Sequence, residues 1–148
     1  MALARASTLF AALTLSACTQ VPKARFGLIT GLAVTETRHI RYVVGTHYGF
    51  RIDYHDIGRV MKLREQFELP GPANFRSKSP PEQFMLASHD RRTWIREVQM
   101  GSHTPSPPEI HSFFIEDIKI ARGDPKGKYT VRLWLDDRPF KDFEFYIE

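Results

Sequence analysis

Apolar and polar residues alternate along most of this chain, and this period-two pattern constrains its fold more than any other feature. In residues 48–54, aromatic and aliphatic side chains alternate with Arg51 and Asp53, and residues 129–135 repeat the pattern. Successive side chains of a β-strand point to opposite faces, so both segments are predicted to be strands with one buried face. No long window has apolar residues at helical spacing without breakers. The chain is therefore expected to be all-β.

Short strands separated by turn residues are predicted from Phe26 to the C-terminus. Eight or nine such strands are typical of an antiparallel β-sandwich or barrel. An amphipathic helix is the alternative for 61–69, although its apolar and polar faces separate better at period two. Asp136-Asp137-Arg138 is predicted to close the last hairpin, and residues 113–115 are expected to be buried. The expected strands are 26–34, 40–44, 48–54, 61–69, 84–87, 94–100, 110–120, 129–135 and 143–147.

The N-terminus has the features of a bacterial lipoprotein export signal. Arg5 precedes a ten-residue apolar stretch, which is too short to span a membrane because a spanning helix needs roughly 20 residues. Leu15-Ser16-Ala17-Cys18 then matches a lipobox, and Cys18 is the only cysteine in the chain. We predict a signal peptide at 1–17, lipid on Cys18, a tether at 18–24 and one domain at 25–148. An ordinary cleaved signal with a chance cysteine is the alternative.

The predicted mature chain has the size and charge of a single envelope domain. Without residues 1–17 it has 131 residues and, since Arg5 is lost, a net charge of +3. Charges such as Arg64 and Glu65 are interspersed, which indicates a solvated surface and gives no reason to expect a nucleic-acid partner. Thr19 stands where an Asp favours inner-membrane retention in enterobacterial lipoproteins. An outer-membrane anchor facing the periplasm is therefore favoured, and the oligomeric state stays open.

The closing segment resembles a late strand of immunoglobulin-like domains. Pro125-Lys-Gly127-Lys-Tyr129-Thr-Val131-Arg-Leu133 places a Tyr just after a Gly-containing turn. In those domains such a Tyr hydrogen-bonds to the backbone upstream. The resemblance implies this role for Tyr129, and a plain core Tyr is the alternative.

Most of the mature chain resembles one bacterial family of small exported domains for which no activity is known. Three segments carry the likeness: Phe26-Gly27-Leu28, Thr46-His-Tyr48-Gly49-Phe50-Arg51-Ile52, and Gly127-Lys-Tyr129-Thr-Val131-Arg-Leu133-Trp134. The resemblance implies an all-β, immunoglobulin-like sandwich, with Phe50, Tyr129 and Trp134 in structural roles. It implies no substrate or catalytic residue.

The sequence contains no recognisable catalytic or cofactor motif. The six histidines are scattered, with no pair two residues apart on a strand, so a metal site is not expected. Adjacent acids at Glu116-Asp117 and Asp136-Asp137 could hold calcium, but turn acids more often serve turn geometry. Trp94 with Arg91 and Arg92 could form a stacking site, although a core Trp94 is favoured. No cofactor or catalytic activity is expected.

Two proline-containing loops are the best sequence candidates for a binding surface. They are 70–81, with Pro70, Asn74 and Phe75, and 101–109, with His103 and Pro107. Prolines reduce the entropy lost when a loop is ordered by a partner, and ordinary surface loops are the alternative. The first hypothesis is a lipid-anchored interaction domain that docks an envelope protein through these loops or an exposed strand edge. The second is a carrier of a small apolar or sugar ligand, and an envelope hydrolase is the third.

Overall fold

The computed structural model describes residues 21–73, 85–86, 88–107 and 110–148. Every regular element in these ranges is a strand, and the strands form two sheets. Eight of the strands have at least four residues, and the other two have two residues each. The number of longer strands agrees with the predicted eight or nine. The strands are β1 (Lys23–Thr30), β2 (Ala33–Glu36), β3 (His39–Ile40), β4 (His47–Tyr54), β5 (Met61–Glu68), β6 (Met85–Leu86), β7 (Thr93–Met100), β8 (Ser112–Lys119), β9 (Gly127–Leu135) and β10 (Arg138–Ile147).

The two sheets have four and six strands. Their orders are β2-β1-β4-β8 and β3-β10-β9-β5-β7-β6. All neighbours are antiparallel except β3, which pairs in parallel with β10. Sheet neighbours far apart in sequence, such as β5 and β9, are typical of a sandwich and not of a meander of hairpins. The prediction of an all-β antiparallel sandwich is confirmed.

Aromatic rings from both sheets fill the space between them. The ring of Phe26 in β1 lies 4.3 Å from that of Phe145 in β10, centroid to centroid, and Phe145 also stacks on Tyr129 at 5.1 Å. Phe50 is fully buried between Phe114 and Phe143. Burial of such side chains supplies the main stabilisation of the fold, about 25 cal/mol for each Å² of apolar surface removed from water.

The last hairpin has the tight turn that the sequence predicts. Leu135 pairs with Arg138, and Asp136 and Asp137 have φ values of 48° and 65°. Two successive residues with positive φ define the turn whose twist matches that of the flanking strands. Asp136 also accepts a hydrogen bond from the backbone N–H of Lys62 at 2.9 Å, which lowers the pKa of its carboxyl. These two acids therefore serve the turn and the adjoining strand.

Three of the expected strands differ from those observed, and one of them is the last, which is expected over 143–147 and begins at Arg138. The segment 26–34 is a hairpin and not one strand: Gly31, with φ of 60°, turns the chain between β1 and β2. The segment 40–44 pairs only over His39–Ile40, and Val43 and Val44 are half exposed. β-Branched residues favour extended backbone, but propensity does not supply a neighbouring strand to pair with.

Residues 113–115 differ from the expectation that they are buried. Phe113 is 37% exposed, Phe114 and Ile115 are half-buried, and Glu116 is almost fully buried. The error arises because an apolar run of this kind does not reveal which alternate positions face the core. The charged Glu116, and not Phe113, shares the inward face with Ile118.

The first described strand begins within the segment 18–24 that is expected to be the tether. β1 begins at Lys23, so Lys23 and Ala24 belong to the sheet and not to the tether. Cys18 and the predicted signal lie outside the described residues. No helix in the described ranges is long and apolar enough to cross a bilayer.

Candidate functional site

Three charged side chains meet between the two sheets and form what is called here the buried triad. Glu65 comes from β5, Arg96 from the adjacent β7 and Glu116 from β8 of the opposite sheet. Each occupies an inward-facing position, and none is more than 2% exposed. The triad therefore links the sheets by charge at one side of the aromatic core.

The guanidinium of Arg96 joins both carboxylates. Its Nη2 donates to Glu65 Oε1 at 2.8 Å and to Oε2 at 3.0 Å, and it also contacts Glu116 Oε2. Arg96 additionally lies over the ring of Phe114, with its Cζ 5.9 Å from the ring centroid. A buried carboxylate without a partner would cost several kcal/mol. Arg96 offsets this cost for both carboxylates.

The triad contains one more acid than base. Burial raises the pKa of the Glu65 carboxyl to about 7, against the opposing attraction of Arg96. Desolvation disfavours the charged form of an acid, while a nearby cation favours it. Desolvation therefore outweighs the attraction of Arg96, and Glu65 is a weaker acid than an exposed glutamate.

An open groove of about 390 Å³ runs beside the triad, between β7 and β8. Phe114, Ile115 and Glu116 line it from β8, and residues 96–99 line it from β7. Within the described ranges, β8 pairs only with β4, and β6 pairs with β7 only at Trp94 and Ile95. Two strand edges therefore border the groove.

The outer face of β8 has an apolar first half beside Arg51. The Arg51 guanidinium lies 4.3 Å from the centroid of the Phe113 ring and donates to the carbonyl of Leu32 at 2.8 Å and to Asp53 at 2.7 Å. Leu32 is 58% exposed and Ile115 is half-buried. Phe113 and Ile115 form an apolar surface along the edge of β8, which is called here the Phe113 patch.

The two predicted binding loops start at opposite ends of β5. The chain around Pro70 is held by Arg91 and Arg92, through Leu69 N–H to the Arg92 carbonyl at 2.8 Å and Ala73 N–H to that of Arg91 at 3.2 Å. The loop after Met100 starts at the other end of β5. Since eight strand residues span roughly 24 Å, the described starts of the two loops are too far apart to form one continuous surface. Asn74 and Phe75 lie outside the described residues.

The loop that contains His103 and Pro107 is fixed to the connection between β4 and β5. Ser106 N–H donates to the Asp56 carbonyl at 2.9 Å, and Pro105 pairs with Ile57. The side chain of Asp56 accepts from Gly58 N–H at 3.0 Å, which lowers the pKa of its carboxyl. His103 and Pro107 are exposed, but the loop backbone between them is anchored.

Of the residues predicted to be structural, Phe50 and Tyr129 are buried in the core. The Tyr129 hydroxyl donates to the carbonyl of Pro125 at 2.5 Å, the upstream backbone contact that the motif predicts. Trp134 faces outward, half-buried, with the guanidinium carbon of Arg64 5.1 Å from its ring centroid. Trp94 is partly buried and packs against the core.

Two glycines of the motif segments allow close approach of neighbouring strands. A Cβ at Gly49 would lie 1.9 Å from the carbonyl oxygen of Glu116, and one at Gly27 would lie 2.0 Å from that of Thr35. Gly27 and Gly49 also stand opposite each other in the pairing of β1 with β4. The motif residues that define the resemblance therefore shape the sheet.

Two of the histidines and the acids considered for metals have other partners. Within the described residues, no three His, Cys, Asp or Glu side chains are grouped to hold an ion. His47 Nδ1 is 2.7 Å from Asp117 Oδ1, His39 Nδ1 is 3.0 Å from Glu148 Oε1, and Glu116 belongs to the buried triad.

Sequence reasoning missed the triad, although a signal was present. Glu65 has the same parity as Leu63 and Phe67, and Glu116 the same parity as Phe114 and Ile118. Arg96 likewise shares its phase with Val98 and Met100. A charge on the apolar face of three separate strands indicates that the charges compensate one another. The interpretation of Glu65 as part of a solvated surface is wrong.

Two packed antiparallel sheets with this strand order and the Tyr129 contact define an immunoglobulin-like β-sandwich. The fold is similar to the crystal structure of an immunoglobulin-like protein from Pseudomonas aeruginosa, with a TM-score of 0.52 and 13% identity over 88% of this chain and 99% of that chain. Residues 30–148 match the family described as PM0630 beta sandwich domain, and the chain belongs to that family. No curated protein matches the chain.

Proposed function

We propose that this protein is a lipid-anchored interaction domain of the bacterial cell envelope, without catalytic activity, that binds an extended segment of another envelope protein along β8. The observation that carries the proposal is the edge of β8 beside the Phe113 patch, which within the described residues pairs with no strand other than β4. A strand at a sheet edge has backbone N–H and C=O groups that face outward at every second residue. An extended segment that pairs with them extends the sheet by one strand.

The two halves of β8 differ in the side chains that they present on the outer face. Asp117, which pairs with His47, and the exposed Lys119 make the second half charged. Charged residues are the usual protection of an edge strand. The first half instead presents Phe113 and Ile115, which favours contact with apolar side chains of a partner.

The filled interior supports docking over transport of a small ligand. A carrier needs an enclosed and mainly apolar cavity. Here the space between the sheets is occupied by rings such as Phe26, Tyr48 and Phe145. The described clefts are open and have charged residues in their walls.

The buried triad is the feature that best supports the competing hydrolase hypothesis, because paired carboxylates with a shifted pKa occur at active sites. Both carboxylates are, however, bonded to Arg96 and nearly inaccessible. An acid or base must reach the proton that it transfers. We therefore assign the triad to the structure of the sandwich.

Crosslinking in intact cells tests the docking surface. A photoreactive amino acid at position 115 is expected to form a specific adduct with an envelope protein. The same group at Thr130, on the outer face of the other sheet, is expected not to form it. The adduct at 115 should be lost when Phe113→Ser is added. Equal adducts at 115 and 130, or a stoichiometric small molecule with no adduct in native mass spectrometry, would overturn the proposal.

Fatty-acid labelling tests the anchor. Radioactive palmitate should label the wild type and not Cys18→Ala, because the thiol of Cys18 is the acceptor of the lipid. Two acyl chains are enough for stable attachment to a bilayer. A mature protein that is unlabelled and has a free Cys18 thiol would refute the anchor.

A further inference from the structure

An open cleft of about 690 Å³ lies where the chain enters the sandwich, between the start of β1 and β10. Its polar lining includes the cations Lys23, Arg25 and Lys141 and one acid, Asp53. Asp53 already pairs with Arg25 at 3.0 Å and with Arg51 at 2.7 Å. The cleft therefore has a net positive charge, and its single acid is shared between two guanidinium groups.

The positive charge is confined to the part of the cleft near Lys23. A second opening of about 370 Å³ continues along β1 and shares Ala24, Arg25 and Lys141 with the first. Arg25 and Lys141 also line this second opening, where one further cation, Arg38, and three acids, Glu36, Asp142 and Glu144, make the numbers of cations and acids equal. An anion is thus attracted to the end of the sandwich where β1 begins, and not to the whole length of the cleft.

Exposed aliphatic side chains stand at the same end. Ile57 is 58% exposed in the connection between β4 and β5, and Ile110 is 51% exposed just before β8. Ile57 follows the end of β4 at which Asp53 pairs with Lys23, and Ile110 precedes the end of β8 at which Phe113 pairs with Asp53. Exposed apolar side chains at the same end of a domain as cations are the combination found on surfaces that lie on a bilayer.

The chain between Cys18 and the cleft is short. Five residue steps separate Cys18 from Lys23, so their Cα atoms are at most about 18 Å apart in any conformation. Charges act over about 8 Å at physiological ionic strength. If Cys18 is lipidated, this end of the domain cannot be far from the headgroups.

We propose that the end formed by Lys23, Arg25, Lys141, Ile57 and Ile110 binds anionic phospholipid headgroups of the bilayer to which the chain is attached. The cations of the cleft contact lipid phosphates, and the two isoleucines contact the interface. The orientation of the domain in the cell rests on the proposed anchor, whereas the lipid binding itself is measurable without it.

Vesicle binding of the mature chain with Cys18→Ser, which has no acyl group, tests the site. The protein should bind vesicles that contain phosphatidylglycerol and not vesicles of phosphatidylcholine alone. Lys23→Gln with Lys141→Gln should weaken binding roughly 25-fold, about 5-fold for each cation removed. The matched control, Lys119→Gln with Lys126→Gln, removes two charges at the other end and should leave binding unchanged.

Three results would overturn the proposal: no binding to the anionic vesicles, equal binding to neutral ones, or an equal loss in the control variant. The proposal would also be overturned if inorganic phosphate, at the same concentration as the lipid phosphate, displaced the protein from the vesicles. A site for a free anion would then account for the binding. A second variant, Ile57→Ser with Ile110→Ser, should weaken binding while circular dichroism shows an intact fold. Since no acyl group is present, failure here leaves the labelling and crosslinking tests of the proposed function unaffected.

Discussion

Arg96 on one sheet donates to Glu116 on the other, and both side chains are excluded from solvent. Arg96 also pairs with Glu65 on the neighbouring strand at 2.8 Å. One guanidinium thus balances two buried acids, and this arrangement makes the stability of the domain sensitive to single substitutions and to pH.

Removal of Arg96 is expected to destabilise the domain strongly. Arg96→Ala leaves two carboxylates buried without their cation, and loss of one partner of a buried ion pair costs about 3–5 kcal/mol. The free energy of unfolding, measured by urea denaturation, checks this. Arg64→Ala on the outer face is the matched control and should cost about 1 kcal/mol or less. A loss for Arg96→Ala no larger than that of the control would contradict the structural role of the triad.

Stability should fall as the pH rises from 5 to 8. The pKa of Glu65 is about 7 in the folded chain, above its ordinary value of 4.5, so the folded state holds a proton that the unfolded state has lost. The stabilisation is therefore complete below the ordinary pKa and is lost as the pH passes 7. Glu65→Gln, which resembles the protonated acid, should flatten this dependence. Equal slopes for wild type and Glu65→Gln would refute the assignment.

Gly49→Ala should disrupt the four-stranded sheet. The new methyl group would lie 1.9 Å from the Glu116 carbonyl oxygen, which is a backbone atom and cannot move away as the end of a flexible side chain could. Overpacking of this kind costs about 3 kcal/mol or more. Gly31→Ala has open space around the new methyl group and only an unfavourable φ, so it should cost about 1 kcal/mol. Thermal unfolding of the two variants gives the comparison, and similar losses would count against the close approach.

Tyr129→Phe isolates the contribution of one hydroxyl. The variant keeps the ring that stacks on Phe145 and removes the hydrogen bond to the Pro125 carbonyl. The expected loss is about 1–2 kcal/mol, because the carbonyl is left without its donor. Tyr146→Phe, at a half-exposed ring, should be within about 0.5 kcal/mol of the wild type. A loss at Tyr129 below that of Tyr146 would refute the contribution of the contact.

Local patterning was sufficient to predict the strands that bury a regular face. Tyr48, Phe50 and Ile52 alternate without interruption, and the structure buries all three. Local patterning failed where strand pairing depends on a distant partner. Residues 40–44 have strand propensity, yet β10 pairs only with His39–Ile40. Propensity is local, whereas a ladder needs two chains in register.

The candidate site could not be predicted in the same way. Glu65 and Arg96 are 31 residues apart. The one local feature that distinguishes each of them from the surface charges around it is that it shares the alternating phase of its apolar neighbours. The unpaired edge of β8 likewise depends on the order of strands in the sheet. The sequence of residues 112–119 does not indicate that β4 is the only described strand with which β8 pairs.

The order β2-β1-β4-β8 also determines how mechanical load would pass through the domain. A partner held on β8 and a lipid attached ahead of β1 would pull at two strands of one sheet, separated by β4. Inter-strand hydrogen bonds run perpendicular to the strands. Tension along the strand axes would therefore shear many of these hydrogen bonds together instead of breaking them one after another. The load would pass from β8 through β4 to β1 within one sheet, so it would not pull the two sheets apart.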